Sequence, residues 1–214
     1  MADSEQGDPL ESYNRVMFSF NDKADRWVLK PIAEGYRYVM PDFFERGVSR
    51  MFSNLGEVLN VANDLLQGKV GQAGNDGGRL LINSTVGIAG FFDVAKYAGL
   101  EKSDGEDFGQ TFGAWGVGEG AYVVLPFFGP STLRDAPSLV LDSVFNPIGD
   151  VDHVPSRNQL YGTRVTSARA DLLKAEKLVK GDRYTFVRDV YLQRRQFLVN
   201  DGEVEDDFGD DDYN

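Results

Sequence analysis

The residue types that most often carry out catalysis are scarce in this chain. Among 214 residues there is one histidine, His153, and no cysteine. A serine hydrolase would need that histidine beside an activated serine, and no Gly-x-Ser-x-Gly motif supplies one. The lack of cysteine also excludes disulfides, thiolate nucleophiles and thiolate metal sites. We therefore expect His153 to be structural or solvated, and we expect neither catalytic residues nor a bound metal.

Two further patterns resemble functional sites, but the residues around them argue against those functions. Residues 116–121 match Gly-x-Gly-x-x-Ala, a weak dinucleotide signal that requires a strand before it and a helix after it. The apolar residues that follow run into Pro126 and do not suit the start of a helix. The acidic residues Asp104, Glu106 and Asp107 lie in a polar run, and we interpret them as solvated. We therefore expect no cofactor and no enzymatic activity.

The acidic charge of the chain is concentrated at its two ends. The formal net charge is −12, from 34 acidic and 22 basic residues. Eight of the acidic residues lie in 201–214 and three in 1–9, which leaves 23 acids against 22 bases between them. A nearly neutral body lacks the positive surface that neutralises nucleic-acid phosphates. We therefore expect no nucleic-acid partner.

The first third of the chain has the pattern of two amphipathic helices. Residues 8–11 read as an N-cap, a first-turn proline and an acid, and apolar residues then recur every three or four positions as far as Trp27. Pro31 is expected to interrupt this helix, and a second helix is predicted over 42–66 with Gly68 behind it. The two apolar stripes are Leu10, Tyr13, Met17, Phe20, Ala24 and Trp27, and Phe44, Val48, Met51, Leu55, Leu59, Ala62 and Leu66.

The middle of the chain combines glycine with apolar residues. Fourteen of the 24 glycines fall between Gly68 and Gly120, and glycine inside a helix costs about 1 kcal/mol relative to alanine. The segments 86–94 and 121–128 are nevertheless among the most apolar of the chain, although no stretch is long enough to span a bilayer. This combination favours buried re-entrant hairpins or a surface against lipid. A glycine-rich packing core in a soluble domain is an equally open interpretation.

The last third returns to helical patterns. We predict a proline-interrupted helix over 131–145, a helix that begins with a capping box at Pro155 and continues to Gly181, and a last helix capped by Asp182. The chain is thus expected to be one helical domain with polar ends. Its predicted divisions are a flexible segment 1–7, a single helical domain 8–200 and an acidic disordered tail 201–214.

Five sequence blocks carry a resemblance to a known family. They are residues 8–21 (DPLESYNRVMFSFN), 81–95 (LINSTVGIAGFFDVA), 107–118 (DFGQTFGAWGVG), 125–135 (LPFFGPSTLRD) and 191–195 (YLQRR). In this order they resemble the MlaA/VacJ family of outer-membrane phospholipid-transport lipoproteins. The resemblance extends over residues 8–204, essentially the whole of the predicted domain.

The resemblance implies an all-α fold, a ring-shaped assembly of amphipathic helices with a glycine-rich helical hairpin around a central amphipathic channel. It implies a place in the periplasmic leaflet of the Gram-negative outer membrane. There, misplaced outer-leaflet phospholipid would pass through the channel to a soluble periplasmic phospholipid carrier, which maintains lipid asymmetry. It also implies binding to a trimeric outer-membrane porin.

Family members carry a signal peptide and a lipidated cysteine, and this chain shows neither. We expect the leader and the lipid-bearing residue to have been removed or replaced. A form naturally without the anchor is the other interpretation.

Within this framework, the first helix and the glycine-rich middle are expected to border the channel. Asn14 and Asn21 lie seven positions apart beside the first apolar stripe, and either offer hydrogen bonds to lipid headgroups or face solvent. Four arginines on the last helix either contact the carrier or lipid phosphate, or form a solvated basic face. The alternative function for the whole chain is a soluble helical interaction module whose apolar stripes face one another. The expected channel residues are Asn14, Phe18, Phe20, Asn21, Val86, Ile88, Phe91, Gly113, Gly116 and Gly118, and the expected contact residues are Arg183, Arg188, Arg194 and Arg195.

Overall fold

The structure, a computed structural model, describes residues 8–179 and 181–203. The predicted segment 1–7 and residues 204–214 of the predicted tail lie outside this part of the chain. The mainly helical class is confirmed, with one short β-hairpin in addition. The α-helices are α1 (Glu11–Ala24), α2 (Lys30–Val39), α3 (Asp42–Leu66), α4 (Val70–Thr85), α5 (Phe108–Ala114), α6 (Asp135–Val144), α7 (Val154–Leu172) and α8 (Arg183–Val199). The strands are β1 (Tyr122–Leu125) and β2 (Gly129–Thr132), and the other helical turns are a π-helical turn (Asp25–Leu29) and the 3₁₀ turns Ala95–Ala98, Pro147–Asp150 and Ala175–Leu178.

The first helix begins where the sequence predicts. The backbone N–H of Leu10 donates to the Asp8 carboxylate at 2.9 Å, and the helix starts at Glu11. The interruption predicted at Pro31 is wrong, because the chain stays helical through α1, the π-helical turn and α2. Proline lacks the N–H that would bond to the carbonyl four residues earlier. The π-helical turn lies directly before it, and such turns accommodate irregular hydrogen bonding within a helix.

The helices α3 and α4 form an extensive helical hairpin. As predicted, α3 is followed by Gly68, whose φ of +78° is the left-handed conformation that ends many helices. The side chains buried in this hairpin are mostly polar. They include Glu57 and Asp64 on α3, and Asp76 and Arg79 on α4. The hairpin is therefore held through polar contacts rather than through an apolar seam.

Large apolar side chains lie mainly on the outside of the molecule. Trp27 is 80% exposed and Tyr38 is 91% exposed, although side chains of this size are usually well buried. The apolar stripe of α1 is also largely exposed, so it does not face another stripe. Within the described residues, no helix has the length and hydropathy to cross a bilayer. The molecule thus has an extensive apolar surface around a partly polar interior, the reverse of an ordinary soluble domain.

One of the apolar segments of the glycine-rich middle forms a β-hairpin, which corrects the all-α prediction at this point. The strands are antiparallel, with Tyr122 opposite Thr132. Tyrosine and valine favour a strand, and Gly129 supplies the left-handed backbone, φ +82°, after the turn. The helix predicted over 131–145 is correspondingly shorter. Its first residues belong to β2, and α6 begins at Asp135.

The last two α-helices are capped by side chains. His153 is the N-cap of α7, and its Nδ1 lies 2.8 Å from the Ser156 hydroxyl. The helix predicted to continue to Gly181 divides, since α7 ends at Leu172 and a 3₁₀ turn follows. The Asp182 carboxylate accepts the backbone N–H of Tyr184 at 3.1 Å and caps α8, as predicted. His153 thus has a structural contact, which is the role expected of it.

A group of buried charges joins α5, α6 and α8. The Arg195 guanidinium donates to both oxygens of Asp107, at 2.6 and 3.0 Å, and to Asp135 at 2.9 Å. Asp135 also accepts from Arg134 at 2.8 Å and from the Tyr191 hydroxyl at 2.9 Å. We call these five residues the Arg195 cluster. Because it includes Asp107, the interpretation of Asp107 as a solvated side chain is wrong.

Candidate functional site

A cleft of about 490 Å³ lies between α1, the turn of the β-hairpin, the end of α7 and the start of α8. We call it the amphipathic cleft, because one part of its lining is apolar and another part is charged. The apolar part includes Phe18, Leu29, Val124, Phe128, Leu172 and Val187, and the charged part consists of Asp22, Asp25, Arg169, Glu176 and Arg183.

The apolar part is built by α1, β1 and α8. Phe18 packs edge-to-face against Tyr184 of α8, with ring centroids 5.7 Å apart. Val124 of β1 is fully buried with Tyr122 and Tyr184 in the apolar core behind this lining. The turn of the β-hairpin adds Phe127 and Phe128, both of which are mostly exposed. The backbone φ angle of Phe127 is +65°, which is uncommon for a residue with a large side chain. This backbone conformation turns the chain tightly at the edge of the cleft.

The charged part is a network of ion pairs. Arg169 donates to both oxygens of Asp25, at 2.6 and 2.8 Å, and to Glu176 at 2.9 Å. Glu176 also accepts from Lys30 at 3.1 Å, and Arg183 pairs with an acidic residue of α1 at 2.7 Å. These contacts tie the π-helical turn to the connection between α7 and α8. One wall of the cleft is therefore held in place by these ion pairs.

The charge of Glu176 should make this wall sensitive to acid. Its hydrogen bond with Arg169 is the main cause that lowers its pKa from 4.5 to about 2, with Lys30 adding to the effect. A depressed pKa contributes stability that is present above the ordinary pKa and is lost as the pH falls through the folded-state value. We expect Glu176→Gln to be less stable than the unmodified protein at pH 7, with a difference that shrinks between pH 4.5 and 2. Thermal unfolding across this range measures the difference.

Glu34→Gln is the matched control, because Glu34 is exposed on α2 and surface substitutions usually change stability little. A stability difference for Glu176→Gln that stays constant from pH 7 to pH 2 would show that its charge does not hold the wall.

The cleft suits a ligand that is itself amphipathic. Apolar side chains on three sides remove hydrocarbon from water, and the ion pairs at the rim present both donors and acceptors to a polar group. The described residues contain no group of three or more side chains suited to hold a metal ion. The lining supports the binding of an amphipathic molecule.

Comparison with known proteins identifies the family of this chain. The family model of the MlaA lipoprotein matches residues 6–198. The chain belongs to the MlaA lipoprotein family. The intermembrane phospholipid transport system lipoprotein MlaA of Escherichia coli K12 is 35% identical over 204 residues, which cover 93% of this chain and 81% of that protein. The MlaA lipoprotein of Haemophilus influenzae is 34% identical over 206 residues, which cover 94% and 82%.

A solved structure agrees with this membership. It comes from work on the structural basis for maintenance of bacterial outer membrane lipid asymmetry. Its TM-score with this MlaA-family chain is 0.79 at 33% sequence identity, and the match covers 91% of this chain and 100% of that one. The two proteins therefore share the fold over most of this chain.

Three of the residues predicted for this MlaA-family chain line the amphipathic cleft. Phe18 and Asn21 do so from α1, and Arg183 does so from α8. Phe20 lies at its edge, with its ring edge-to-face against Phe127 at 5.1 Å. A part in lipid passage stays a prediction for each of them.

The side chains of Asn14 and Asn21 bind the β-hairpin instead of facing outward. Asn14 is fully buried; it accepts the Val124 N–H at 2.8 Å and donates to the Tyr122 carbonyl at 3.0 Å. Asn21 accepts the Phe127 N–H at 2.8 Å and donates to the preceding strand. The two amides attach α1 to the edge of β1. For Asn14, which is fully buried, headgroup contact and solvent exposure are both wrong. For Asn21, which lines the amphipathic cleft, contact with a headgroup stays a prediction.

Val86, Ile88 and Phe91 lie away from the amphipathic cleft, in the segment after α4. Val86 and Ile88 are mostly exposed. The Phe91 ring packs against that of Phe43 at 5.3 Å and fills the space above Gly47, where a Cβ atom would come within 2.1 Å of it. Val86 and Ile88 therefore belong to a separate exposed apolar surface at the open end of the α3–α4 hairpin, where Phe91 packs against the start of α3.

The three glycines predicted to lie near the channel wall are also outside the cleft lining. A Cβ atom at Gly113 would approach Val199 of α8 to 2.8 Å, so this glycine permits close packing of two helices. Gly116 has a φ of +87° in the turn after α5, and Gly118 has no neighbour within 4 Å of a Cβ position. A packing role thus explains Gly113, while the role of Gly118 stays a prediction.

The four arginines of α8 do not form one accessible face. Arg195 is buried in the Arg195 cluster, so the prediction that it contacts a carrier is wrong. Arg183 pairs with Asp22 at the rim of the cleft, and Arg188 lies beside Asp189 at 2.9 Å. Arg194 is exposed and makes no ion pair with any residue in the described part of the chain.

The contacts of two acidic residues, Glu106 and Asp201, differ from what the sequence predicts. Glu106 is not solvated, because it pairs with Lys69 at 2.9 Å and its side chain is only 10% exposed. Asp201, at the start of the predicted disordered tail, also binds Lys69. Ordered structure therefore extends at least to the beginning of that tail.

Sequence reasoning missed the charged part of the cleft and its hairpin turn. Asp25 lies 144 positions before Arg169, whereas Arg169 and Glu176 lie seven positions apart, at the end of α7 and in the 3₁₀ turn that follows. No local pattern indicates that Asp25 pairs with the other two. Phe127 and Phe128 carried a usable signal, since a proline and a glycine bracket two aromatic residues in a turn. An exposed aromatic turn of this kind is typical of a binding surface.

Proposed function

We propose that this protein transports phospholipid at the Gram-negative outer membrane, removing mislocalised phospholipid from the outer leaflet and so maintaining lipid asymmetry. Membership of the MlaA family supports the proposal, as do relatives named for intermembrane phospholipid transport and a similar structure studied for outer membrane lipid asymmetry. The observation that carries it is the amphipathic cleft, set in a molecule whose apolar side chains face outward.

The distribution of apolar residues supports contact with lipid. Exposed aromatic and aliphatic side chains occur on α1, α2, α6 and both hairpins, and in water this surface would have a large unfavourable hydration free energy. Helices that lie in a membrane interface bury such a surface without spanning the bilayer. The polar interior then stays separated from hydrocarbon by the protein's own outer apolar layer.

The cleft supports a specific role in this process. A lipid tail would contact Phe18, Phe128 and Val187, and its headgroup would lie toward the ion pairs at the rim. Binding and release of a lipid break no covalent bond. The activity that we propose is therefore the transfer of phospholipid and not its hydrolysis.

The finer parts of the proposal concern place and partners. We place the protein in the periplasmic leaflet, lipid-anchored in its precursor-derived form, at a trimeric outer-membrane porin. A soluble periplasmic carrier would receive the lipid. The exposed apolar surface supports a position in one leaflet, because a helix that lies in the interface needs one apolar face rather than a full apolar span.

Lipid that copurifies with the protein tests the proposed function. The full chain is purified in mild detergent from cells with a Gram-negative envelope, and bound phospholipid is quantified by mass spectrometry. We expect phospholipid to be retained by the unmodified protein. Val187→Trp should retain at most about half as much, because the indole fills volume in the cleft.

The matched control is Val140→Trp, an exposed position on α6 outside the cleft lining, which should retain the normal amount. The amounts of lipid retained by the two variants are compared only if thermal unfolding shows that the variants are equally stable. A protein that is monodisperse without detergent and retains no lipid would contradict the proposal and favour the soluble interaction module.

A further inference from the structure

A second cavity lies further along α8, and most of the residues that line it have polar or charged side chains. It has a volume of about 410 Å³ and lies between α8, α3 and the loop that leads into α5. We call it the polar cavity. Tyr191 and Arg194 line it from α8, and Asp104 and Gln110 line it from the opposite side. It is distinct from the amphipathic cleft, with which it shares no lining residue.

Most polar groups around this cavity are already paired. Arg195 is held by two carboxylates of the Arg195 cluster. Glu106 pairs with Lys69 at 2.9 Å, and its backbone N–H donates to the Asn60 side chain at 2.9 Å. These groups shape the cavity and have little capacity left for a ligand.

Three groups of the lining remain available. Gln110 is only 3% exposed, and its Oε1 atom is buried without a hydrogen-bond partner among the described residues. Its Nε2 atom donates to the Gly105 carbonyl at 3.1 Å, which fixes the orientation of the amide. Arg194 and Asp104 make no ion pair within the described ranges. A buried acceptor without a donor is unfavourable, and a ligand that carries a donor would satisfy it.

The three groups define the chemistry of that ligand. A guanidinium binds anionic oxygens, and phosphate oxygens match its fork geometry. A carboxylate and an amide oxygen together accept hydrogen bonds from a primary ammonium group. We propose that the polar cavity binds the headgroup of a zwitterionic phospholipid with a primary ammonium group, with the phosphate at Arg194 and the ammonium at Asp104 and Gln110. This inference rests on the proposed function and names the headgroup class that it favours.

The position of the polar cavity fits a lipid that has left the cleft. Arg183 and Val187 line the amphipathic cleft, and Tyr191, Arg194 and Leu198 line the polar cavity. These positions recur every three or four residues and share one face of α8. At 1.5 Å per residue, Val187 and Arg194 lie about 10 Å apart along the helix axis.

A competition experiment tests the headgroup preference. The full chain in mild detergent is incubated with equal amounts of phosphatidylethanolamine, phosphatidylcholine and phosphatidylglycerol with identical acyl chains, and is then repurified. Retained lipids are measured by mass spectrometry. We expect phosphatidylethanolamine to be enriched about tenfold over the other two, which is the effect of one charge-assisted hydrogen bond. Phosphatidylcholine has no N–H donor, and phosphatidylglycerol has no cation.

Two variants separate the roles of the charged groups. Asp104→Asn should abolish most of the enrichment over phosphatidylcholine, because the ammonium loses its charged acceptor. Arg194→Gln should lower the retention of all three lipids. Arg164→Gln is the control, since Arg164 is exposed on α7 and makes no ion pair within the described ranges. It should change neither quantity.

The outcomes distinguish this inference from the proposed function. Retention of the three lipids in their input ratio would overturn the headgroup assignment and leave phospholipid transport standing. Retention of no lipid would overturn both. Displacement of bound lipid by chain-free glycerophosphoethanolamine at equal concentration would show that a soluble metabolite, and not a lipid, is the ligand.

Discussion

Arg195→Ala is expected to destabilise the protein by about 3–5 kcal/mol, the usual effect of removing one partner from a buried ion pair. Arg195 is 8% exposed and holds two carboxylates, those of Asp107 and Asp135. Burial alone would raise the pKa of Asp135, but Arg134 and Arg195 outweigh it and hold that pKa below its ordinary value. Without Arg195, two partly buried negative charges share one remaining cation.

Chemical denaturation of the two neighbouring arginine variants measures this effect. Arg194→Ala is the control, because Arg194 is exposed on the same helix and its removal should change the free energy of unfolding by less than about 0.5 kcal/mol. Arg195→Lys keeps the charge but loses the planar fork, so it should lie between the two. Equal stabilities for Arg194→Ala and Arg195→Ala would show that the Arg195 cluster does not hold α5, α6 and α8 together.

Asp64→Asn is expected to stabilise the protein by about 2–4 kcal/mol at pH 8. Asp64 is fully buried on α3, and neither carboxylate oxygen has a hydrogen-bond partner in the described structure. Burial, with the charges of Asp76 and Glu106 adding to it, raises its pKa from 3.8 to about 7. An asparagine has nearly the same shape and carries no charge to bury.

The sign of the pH dependence follows from the raised pKa. A carboxyl group whose folded-state pKa lies above its ordinary value binds its proton more tightly in the folded state, so stability falls as the pH rises from about 4 through 7. The advantage of Asp64→Asn should therefore be large at pH 8 and nearly absent at pH 4. Thermal unfolding at both values measures it, with exposed Asp152→Asn as the control. An equal gain at both pH values would exclude the charge of Asp64 as its cause.

The positions where helices begin and end were largely predictable, because they depend on neighbouring residues. Asp182 caps α8 through its own carboxylate, and Gly68 follows α3 in the left-handed conformation. Both signals act over a few positions of the chain. Pro31 shows the limit of this local reasoning, since a proline usually ends a helix but here follows a π-helical turn that keeps the helix continuous.

Periodicity in the sequence did not predict what covers the apolar face of each helix. A repeat of three and four identifies an apolar face but does not say whether protein or lipid covers it. In α1 the apolar face is exposed, and the buried contact is made by Asn14, which binds the backbone of β1. That contact joins residues 110 positions apart. In the amphipathic cleft, Asp25 and Arg169 lie 144 positions apart in the chain, so only the folded chain brings them together.

The outward position of the apolar side chains has a thermodynamic consequence. The heat capacity of a protein rises on unfolding chiefly because apolar groups that were hidden from water become hydrated, by about 12–15 cal/mol/K per residue in ordinary globular proteins. Here much of that surface, including Trp27 and Tyr38, is already uncovered in the folded chain. For the lipid-free protein we therefore expect a smaller increment than is usual for a protein of this size. Its stability in water should change only gradually with temperature, and cold should weaken the fold less than it weakens a fold with a larger buried apolar core.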